Sequence, residues 1–315
     1  MTATGPTGLE IHLLREDELP DADRILRLAF GTFRGLPNPM ESMGDADHAR
    51  TRWAADPASA LAAELDGDLV GTNFVTRWGS VGFFGPLSVA PSLWDRGVGR
   101  ALIRAAIALF DDWGVAHRGL FTFGDSPKHL ALYQSFGFLP RFLTSILAKP
   151  VSDQAEGWTT FSALKDREQG LIGAAAVTGS IFEGLDVRRE IQATFDQTLG
   201  DTVLINEGDD LVAFGVCHVG PGTEAGTDSC FVKFGAARGG RLGPSRFGRL
   251  LDACESFAAT RGVSTITMGV STGRRGAYRQ LLDRGYRAER IGVTMHAPDV
   301  DAYHHSGSYV IDDWR

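Results

Sequence analysis

The chain has 315 residues, of which 43% are hydrophobic and 22% charged, a balance typical of a globular protein with a sizeable core. The formal net charge is −8, divided as −3 over residues 1–150 and −5 over 151–315, and neither half contains a stripe of Lys and Arg. Nucleic-acid binding is therefore not expected, because it needs clustered positive charge. The acidic balance would suit a cationic small substrate, or simply solubility.

The sequence gives no indication of a metal site, a signal peptide or a membrane-spanning segment. Cys217, Cys230 and Cys254 are far apart in sequence without a C-x-x-C spacing, and His304-His305 lacks a third ligand, so we expect reduced core thiols and no metal site. The N-terminus MTATGPTG has no signal-peptide features, and no apolar run reaches about 18 residues. We expect a cytoplasmic protein. The 4 Lys against 27 Arg favour a GC-rich bacterial source.

The first half predicts strands and helices in the order β-α-α-β-β-β-α-β-α-β. Alternating runs bounded by turn residues indicate strands, and apolar residues at helical spacing indicate helices. Asp66-Gly67-Asp68 predicts a hairpin. The strands are 11–15, Ala60–Leu65, Leu69–Trp78, Val81–Ala90, Leu120–Phe123 and Phe138–Leu147, and the helices are Leu19–Phe33, His48–Ala55, Gly97–Trp113 and Pro127–Phe136.

The second half repeats this spacing. The recurring anchors are Asp68-Leu69-Val70 with Asp210-Leu211-Val212 at an offset of 142, and Gly114-Val115 with Gly262-Val263 and Gly137-Phe138 with Gly285-Tyr286 at 148. The difference of six falls in the Gly-rich loop Gly220–Asp228. We predict an α/β (α+β) chain of two tandem units, 1–150 and 151–315, each a mixed central sheet flanked by helices, with a boundary near Pro150–Gly157; chance similarity is the alternative.

One strand–turn–helix junction carries a chemical signal. The strand Val81–Ala90 leads into a helix that opens with Gly97-Val98-Gly99. The first N–H groups of a helix have no internal partner, and glycines let an anion approach them. Arg96 and Arg100 add positive charge. The pattern predicts a phosphate cradle, although a tight turn alone would also explain the glycines.

The cradle differs from the two common nucleotide motifs. A P-loop would need a Lys after its last glycine, and none is present. A dinucleotide fingerprint would need a third glycine where Leu102 stands, and it would open a βαβ run rather than follow three sequential strands.

A second segment makes a family resemblance specific. The cradle sequence is Val89-Ala90-Pro91-Ser92-Leu93-Trp94-Asp95-Arg96-Gly97-Val98-Gly99, and Leu132-Tyr133-Gln134-Ser135-Phe136-Gly137-Phe138 follows it. This pair of motifs, with the element order over residues 10–148, resembles the GCN5-related N-acetyltransferase (GNAT) superfamily. The resemblance implies a tandem GNAT fold, acetyl-CoA as co-substrate, and acetyl transfer to a primary amine of a small molecule or peptide by direct attack in a ternary complex.

The resemblance also implies a set of cofactor contacts. The pantetheine arm would bond to the strand backbone, the pyrophosphate would lie on the amides of the cradle, and Ser126 would stand where the family often has Asn. Trp94 departs from the family's Gln or Arg, which removes one polar contact. The implied cofactor-binding residues are Leu87, Ser88, Val89, Trp94, Asp95, Arg96, Gly97, Val98, Gly99, Arg100 and Ser126.

Tyr133 matches the family's general acid, which would protonate the departing thiolate. Its other interpretation is a helix aromatic that packs on Phe138. The identity of the base that deprotonates the amine stays open. A water chain is one option, and the residue candidates are Asp125, His129, Glu41, Asp45 and Asp47.

The second unit lacks the corresponding residues. At the offset of 148, Gly97, Gly99 and Tyr133 become Ser245, Phe247 and Leu281. We therefore expect a degenerate copy that completes the substrate cleft or makes an interface, with a homodimer left open. This asymmetry is the reverse of that in tandem relatives such as mycothiol synthase, so that activity is not expected. The alternative function is a non-catalytic acyl-CoA sensor or interaction module.

Overall fold

A computed structural model describes residues 6–151 and 156–315. The first five residues of the N-terminal segment and the centre of the expected boundary, residues 152–155, lie outside the described residues. Among the described residues, no helix is both long and apolar enough to cross a lipid bilayer.

The first half follows the predicted order, with most element ends within three residues of the prediction. Its strands are β1 (Leu9–Leu13), β2 (Ala60–Leu65), β3 (Asp68–Trp78), β4 (Val81–Val89), β5 (His117–Thr122) and β6 (Leu139–Pro150), and its helices are α1 (Leu19–Phe33), α2 (His48–Ala55), α3 (Val98–Trp113) and α4 (Pro127–Gln134).

The second half repeats the order and adds a final short strand. Its strands are β7 (Thr159–Thr160), β8 (Gly200–Glu207), β9 (Asp210–Gly220), β10 (Gly226–Ala237), β11 (Thr265–Ser271), β12 (Arg287–Ala297) and β13 (Tyr309–Ile311), and its helices are α5 (Arg167–Gly179), α6 (Arg188–Asp196), α7 (Gly243–Thr260) and α8 (Arg275–Asp283). The predicted mixed α/β class is confirmed.

The repeat offset of 148 has a backbone counterpart. Gly114 and Gly262 both have left-handed φ angles, +61° and +72°, where α3 and α7 end. Gly137 and Gly285 match in the same way at +86° and +89°. A side chain is strained in this region, so each glycine lets the chain reverse after its helix.

The two expected sheets are joined into one sheet by an exchange of strands. The order is β1-β2-β3-β4-β5-β12-β6-β11-β10-β9-β8-β7, and β13 pairs separately with β10. β12 from the second half therefore lies against β5 of the first, while β6 from the first lies against β11 of the second. The strand β5, which borders the predicted site, therefore has one neighbour from each half, β4 and β12.

The tail after β13 returns into the core between the halves. Trp314 is 1% exposed, and its indole donates to the Tyr303 hydroxyl at 2.8 Å. Tyr303 in turn donates to Asp312, which pairs with the fully buried Arg274 at 2.8 Å. The tail is therefore a packed structural segment.

A substitution on β5 tests this packing. A Cβ added at Gly119 would collide with the Trp314 ring. We expect Gly119→Ala to lower the free energy of unfolding by about 1–3 kcal/mol, a usual cost of overpacking. Urea denaturation measures it, with Gly124→Ala as the control, because a Cβ there meets nothing within 4 Å. Equal stability of the two variants would contradict the docked position of Trp314.

Candidate functional site

β4 and β5 separate where the sequence predicts the cofactor arm. Their parallel pairing runs from Val81↔His117 to Phe84↔Leu120 and stops there. The Ala90 N–H bonds to β3, at Val70. Because backbone groups alternate along a strand, those of Leu87 and Val89 point to the opposite, open edge of β4. We call this opening beside Leu87–Val89 the β4 gap.

The cradle glycines have the geometry that the motif predicts. Gly97 precedes α3 with φ = +88°, a left-handed conformation that suits glycine. A Cβ built at Gly99 would lie 3.8 Å from Leu87 and 3.9 Å from Val89, in the mouth of the β4 gap. Val98 is buried and anchors the first turn. The first amides of α3 therefore open toward the gap without an obstructing side chain.

The side chains around the cradle differ in their placement. The Trp94 indole donates to the Val89 carbonyl at 2.8 Å, so Trp94 closes one backbone position of the gap. Lys128 pairs with Asp95 at 2.8 Å and lies over the Trp94 ring. Arg100 donates to Ser135 at 2.8 Å and lies over the Phe136 ring. Arg96 is exposed and does not line the cleft described below.

Two of the predicted cofactor residues direct their side chains elsewhere. The Ser88 hydroxyl is buried and bonds to Thr72 at 2.8 Å. The Ser126 hydroxyl caps α4 by accepting from the His129 backbone N–H at 3.4 Å. Neither side chain is part of the cleft lining. Their predicted contacts with a cofactor stay predictions.

Tyr133 faces the cleft while its ring packs in the core. The residue is 8% exposed, and its ring lies 5.9 Å from that of Phe84. Within the described residues its hydroxyl has no hydrogen-bond partner, and burial raises the pKa of Tyr133 to about 12. A phenol with this pKa stays protonated at neutral pH and can donate to a group in the cleft.

A cleft of ≈ 690 Å³ contains the gap, the cradle and Tyr133. Its size is typical of a small-molecule site. The rest of its lining comes from the C-terminal end of α1, the segment 42–48, the loop 220–228 of the second half, β12 and the tail, and we call this part of the lining the far wall. Phe33, the last residue of α1, lines this wall and is 37% exposed.

The carboxylates of the three loop acids are all engaged in hydrogen bonds, and that of Asp45 ties the two halves together. The Asp45 carboxylate accepts from the N–H and the hydroxyl of Thr227. Asp47 caps α2 by accepting from Arg50 N–H at 2.9 Å. Glu41 accepts from Asn38 at 2.9 Å. These contacts show anchoring roles for acids that the sequence analysis considered as bases.

A buried ionic network stands behind the far wall, and sequence reasoning missed it. Glu224 receives two bonds from the Arg52 guanidinium, at 2.8 and 3.2 Å, and one from Lys233 at 2.7 Å. Lys233 also pairs with Glu190 at 2.8 Å. Burial favours a raised pKa for Glu224, but the charges of Arg52 and Lys233 outweigh it and hold that pKa well below its usual range. The network thus pairs two basic side chains, Arg52 and Lys233, with two acidic ones, Glu224 and Glu190.

His48 connects this network to the cleft. Its Nδ1 lies 3.4 Å from a Glu224 oxygen, and the residue lines the cleft. Burial lowers the pKa of His48, and the contact with Glu224 only partly opposes that shift. Arg52, through Nη1, also donates to the Gly85 carbonyl at 2.5 Å, at the point where β4 leaves β5. His48 is therefore a neutral imidazole that lines the cleft and lies beside Glu224 of the second half.

His129 is the remaining titratable candidate on α4. It lines the cleft, its ring lies 4.9 Å from that of Phe33, and its Nδ1 is buried without a hydrogen-bond partner among the described residues. Burial lowers the pKa of His129, and Lys128 lowers it further. Asp125 does not line the cleft.

The second half has its own strand in place of a gap. β10 pairs with β11 only over Ser229–Val232, and beyond that point Gly235–Ala237 pairs with β13. At the offset of 148, Gly235 and Ala237 correspond to Leu87 and Val89 of the β4 gap. Phe247 is fully buried, with its ring 5.7 Å from that of Tyr309. β13 thus pairs with the part of β10 that corresponds to the open edge of β4 in the first half.

Comparisons with known proteins give a family match within the first half. Residues 23–138 match the acetyltransferase (GNAT) family. A mycothiol acetyltransferase of Propionibacterium freudenreichii subsp. shermanii is 30% identical over 144 residues, which are 42% of this chain and 44% of that protein. The aligned part is thus less than half of this curated relative.

Solved structures show the same fold over nearly the whole chain. A candidate acetyltransferase of Pyrococcus horikoshii has a TM-score of 0.70 at 15% identity, covering 100% of this chain and 98% of that one. A tandem GNAT protein from the clavulanic acid biosynthesis pathway has a TM-score of 0.54 at 13% identity, covering 92% and 98%. These structures show the fold alone, and the match to the acetyltransferase (GNAT) family covers residues 23–138 of the chain.

Proposed function

We propose that the chain is an acetyl-CoA-dependent N-acetyltransferase that acetylates a primary amine by direct attack in a ternary complex. The observation that carries this proposal is one cleft that joins an open β4 gap, an unobstructed helix start and the Tyr133 hydroxyl. In this proposal the units 1–150 and 151–315 have different roles. The first holds the cofactor, and the second completes the acceptor wall.

The described residues fit acetyl-CoA at the first half. Leu87 offers free backbone groups at the edge of the gap, while the Val89 carbonyl is engaged by Trp94. The bare backbone at Gly99 leaves room for phosphates at the start of α3. Bound acetyl-CoA would supply the activated acetyl group, and the backbone of Leu87 and the cradle would orient it toward Tyr133.

The proposed chemistry needs one proton removed and one delivered. The amine nitrogen forms a bond to the acetyl carbon, and the bond from that carbon to sulfur breaks. His48 would accept the proton from the amine, since its neutral imidazole lines the same cleft. Tyr133 would donate a proton to the departing sulfur. The proton balance is then restored by exchange with solvent.

A panel of primary amines tests the proposed function. Thiol release from acetyl-CoA, followed by mass spectrometry of the acetylated amine, should identify an acceptor. Release that requires an amine supports acetyl transfer. Measurable CoA binding without release for any amine would favour the alternative, a non-catalytic acyl-CoA sensor or interaction module.

The role of His48 predicts a pH profile. Since the pKa of His48 is lowered, kcat should fall only as the pH drops below the usual His value of about 6.5. We expect His48→Gln to lower kcat by about 100-fold at pH 7 and to replace the acid limb of the wild type by a rise at higher pH, where more of the amine is neutral.

The exposed His305 offers the matched control, because His305→Gln removes an imidazole outside the cleft lining. Its profile should equal that of the wild type. An unchanged acid limb in His48→Gln would assign the titration to another group, with His129 as the next variant to measure.

A further inference from the structure

Three arginines from distant parts of the sequence meet at the far wall of the cleft. Arg34 follows α1, Arg290 lies on β12, and Arg315 follows β13. We call them the arginine trio. The exchange of strands brings Arg290 here, because β12 pairs with β5 at the border of the cleft.

The trio is poorly neutralised by the protein. Among the described residues, the side chains of Arg34 and Arg290 have no ion pair or hydrogen bond, whereas Arg315 pairs with Asp313 at 2.9 Å. Although Arg290 is an exposed residue, partial burial of its guanidinium lowers its pKa, as do the charges of Arg315 and Arg34, while Asp313 and Glu289 act in the opposite direction. Arg290 therefore lies close enough to Arg34 and Arg315 for their charges to repel its own.

Structural roles account for only part of this arrangement. A cation at the C-terminal end of α1 interacts favourably with the helix dipole, which explains Arg34 alone. The Arg315 guanidinium lies 4.5 Å from the centre of the Phe231 ring, and this contact gives Arg315 a packing role. Neither reason applies to Arg290. Phe30, Phe33 and Phe123 line the cleft nearby, and apolar walls strengthen the field of the unpaired charges.

The phosphates of the cofactor do not account for the trio either. The cradle belongs to the turn between β4 and α3, where Gly97 and Gly99 open the helix start. The trio comes from α1, β12 and the tail, which belong to the far wall together with His48. This wall is the acceptor side in the proposed reaction.

Building on the proposed function, we propose that the acceptor amine also carries an oxyanion, a carboxylate or a phosphate, which the arginine trio binds. Guanidinium groups form strong charge-assisted hydrogen bonds with both anions. The amine would then face His48 while the anion lies against Arg290 and its neighbours. The acidic net charge of the chain, which would suit a cationic substrate, does not describe this wall of the cleft.

Paired acceptors test the proposal. Each pair keeps one amine and removes the anion: 6-aminohexanoate with 6-aminohexanamide, a set of L-amino acids with their amides, and O-phosphoethanolamine with ethanolamine. The carboxylate and phosphate pairs distinguish the two sources of the anion. kcat/KM is measured for the wild type, Arg290→Gln and Arg34→Gln/Arg290→Gln, and acetyl-CoA affinity is measured by calorimetry.

The controls remove arginines from the same elements but outside the cleft. Arg287→Gln lies on β12, where the side chain bonds to the Tyr286 carbonyl at 3.0 Å. Arg24→Gln lies on α1, where the side chain pairs with Asp21 at 2.9 Å. Both should keep the acceptor preference of the wild type.

The expected result is a preference of about tenfold or more for the anionic member of at least one pair, reduced to about twofold in Arg290→Gln with unchanged acetyl-CoA affinity. Equal kcat/KM within every pair would overturn the proposal. An equal loss for both members in Arg290→Gln, or weaker acetyl-CoA binding, would also overturn it, the latter by assigning the trio to the cofactor.

If no amine is acetylated, the proposed function fails while the anion site can still be decided. The same pairs are then titrated into CoA-saturated protein by calorimetry. Tighter binding of the anionic members, lost in Arg290→Gln, supports the site; binding without that preference overturns it.

Discussion

Tyr133→Phe should lower kcat by about 10²–10⁴-fold, the usual size of a positioned proton transfer, and leave acetyl-CoA affinity nearly unchanged. The phenol is 8% exposed, faces the cleft, and has no competing partner for its hydroxyl among the described residues. The substitution removes one oxygen from a ring that still packs on Phe84. The loss should therefore appear in kcat rather than in folding.

The raised pKa of Tyr133 also predicts how the rate depends on pH. Because burial raises the pKa of Tyr133 to about 12, the wild type should show no loss of rate from this group between pH 6 and 9. The variant should be slow across the same range.

Tyr278→Phe is the matched control, since this tyrosine lies on α8 of the second half and is not part of the cleft lining. Single-turnover measurement of thiol release on an identified acceptor gives the rate of the chemical step. Full kcat in Tyr133→Phe would remove the acid assignment and leave the tyrosine as a packing residue.

The parts of the fold that depend on local sequence signals were predictable. The helices Leu19–Phe33 and His48–Ala55 agree with the prediction at both ends, because their apolar spacing and flanking residues act locally. The glycines at 114 and 262 reverse the chain after equivalent helices, so the offset of 148 has a direct backbone cause.

The exchange of strands could not be read from the sequence. β6 and β12 have similar patterns and follow equivalent helices, so each could complete either half. Which neighbour a strand takes is decided by long-range packing rather than by its own alternation. Here that choice brings Arg290 of the second half to the border of the first half's cleft.

The residues of the far wall could not be recognised from the sequence for a related reason. Glu224 lies in the loop where the offset changes from 142 to 148, a segment whose Gly-rich composition indicates tolerance rather than function. The buried ionic network that Glu224 forms depends on Arg52, which is 172 residues away, and on Lys233 on β10. The glycines of the cradle and Tyr133 were visible because each belongs to a short contiguous motif, whereas the far wall is assembled from five separate segments.

Gly99→Phe should abolish measurable acetyl-CoA binding, because it places in the first half the residue that the second half has at the same position. A Cβ at Gly99 lies in ordinary contact distance of Leu87 and Val89, so the folded protein can accept a side chain there. The ring of a phenylalanine would then occupy the mouth of the β4 gap. In the second half, the equivalent Phe247 is fully buried and the equivalent gap is filled by β13.

Calorimetry with acetyl-CoA gives the affinity, and thermal unfolding shows whether the fold is retained. Gly99→Ala should bind more weakly than the wild type but still measurably, because a methyl group blocks less of the helix start. Gly179→Phe is the matched control: it adds the same side chain at the end of α5, where a Cβ meets nothing within 4 Å, and it should bind normally. Unchanged affinity in Gly99→Phe would show that the cofactor does not enter through the β4 gap, and would leave the Gly97–Gly99 turn as a purely structural feature.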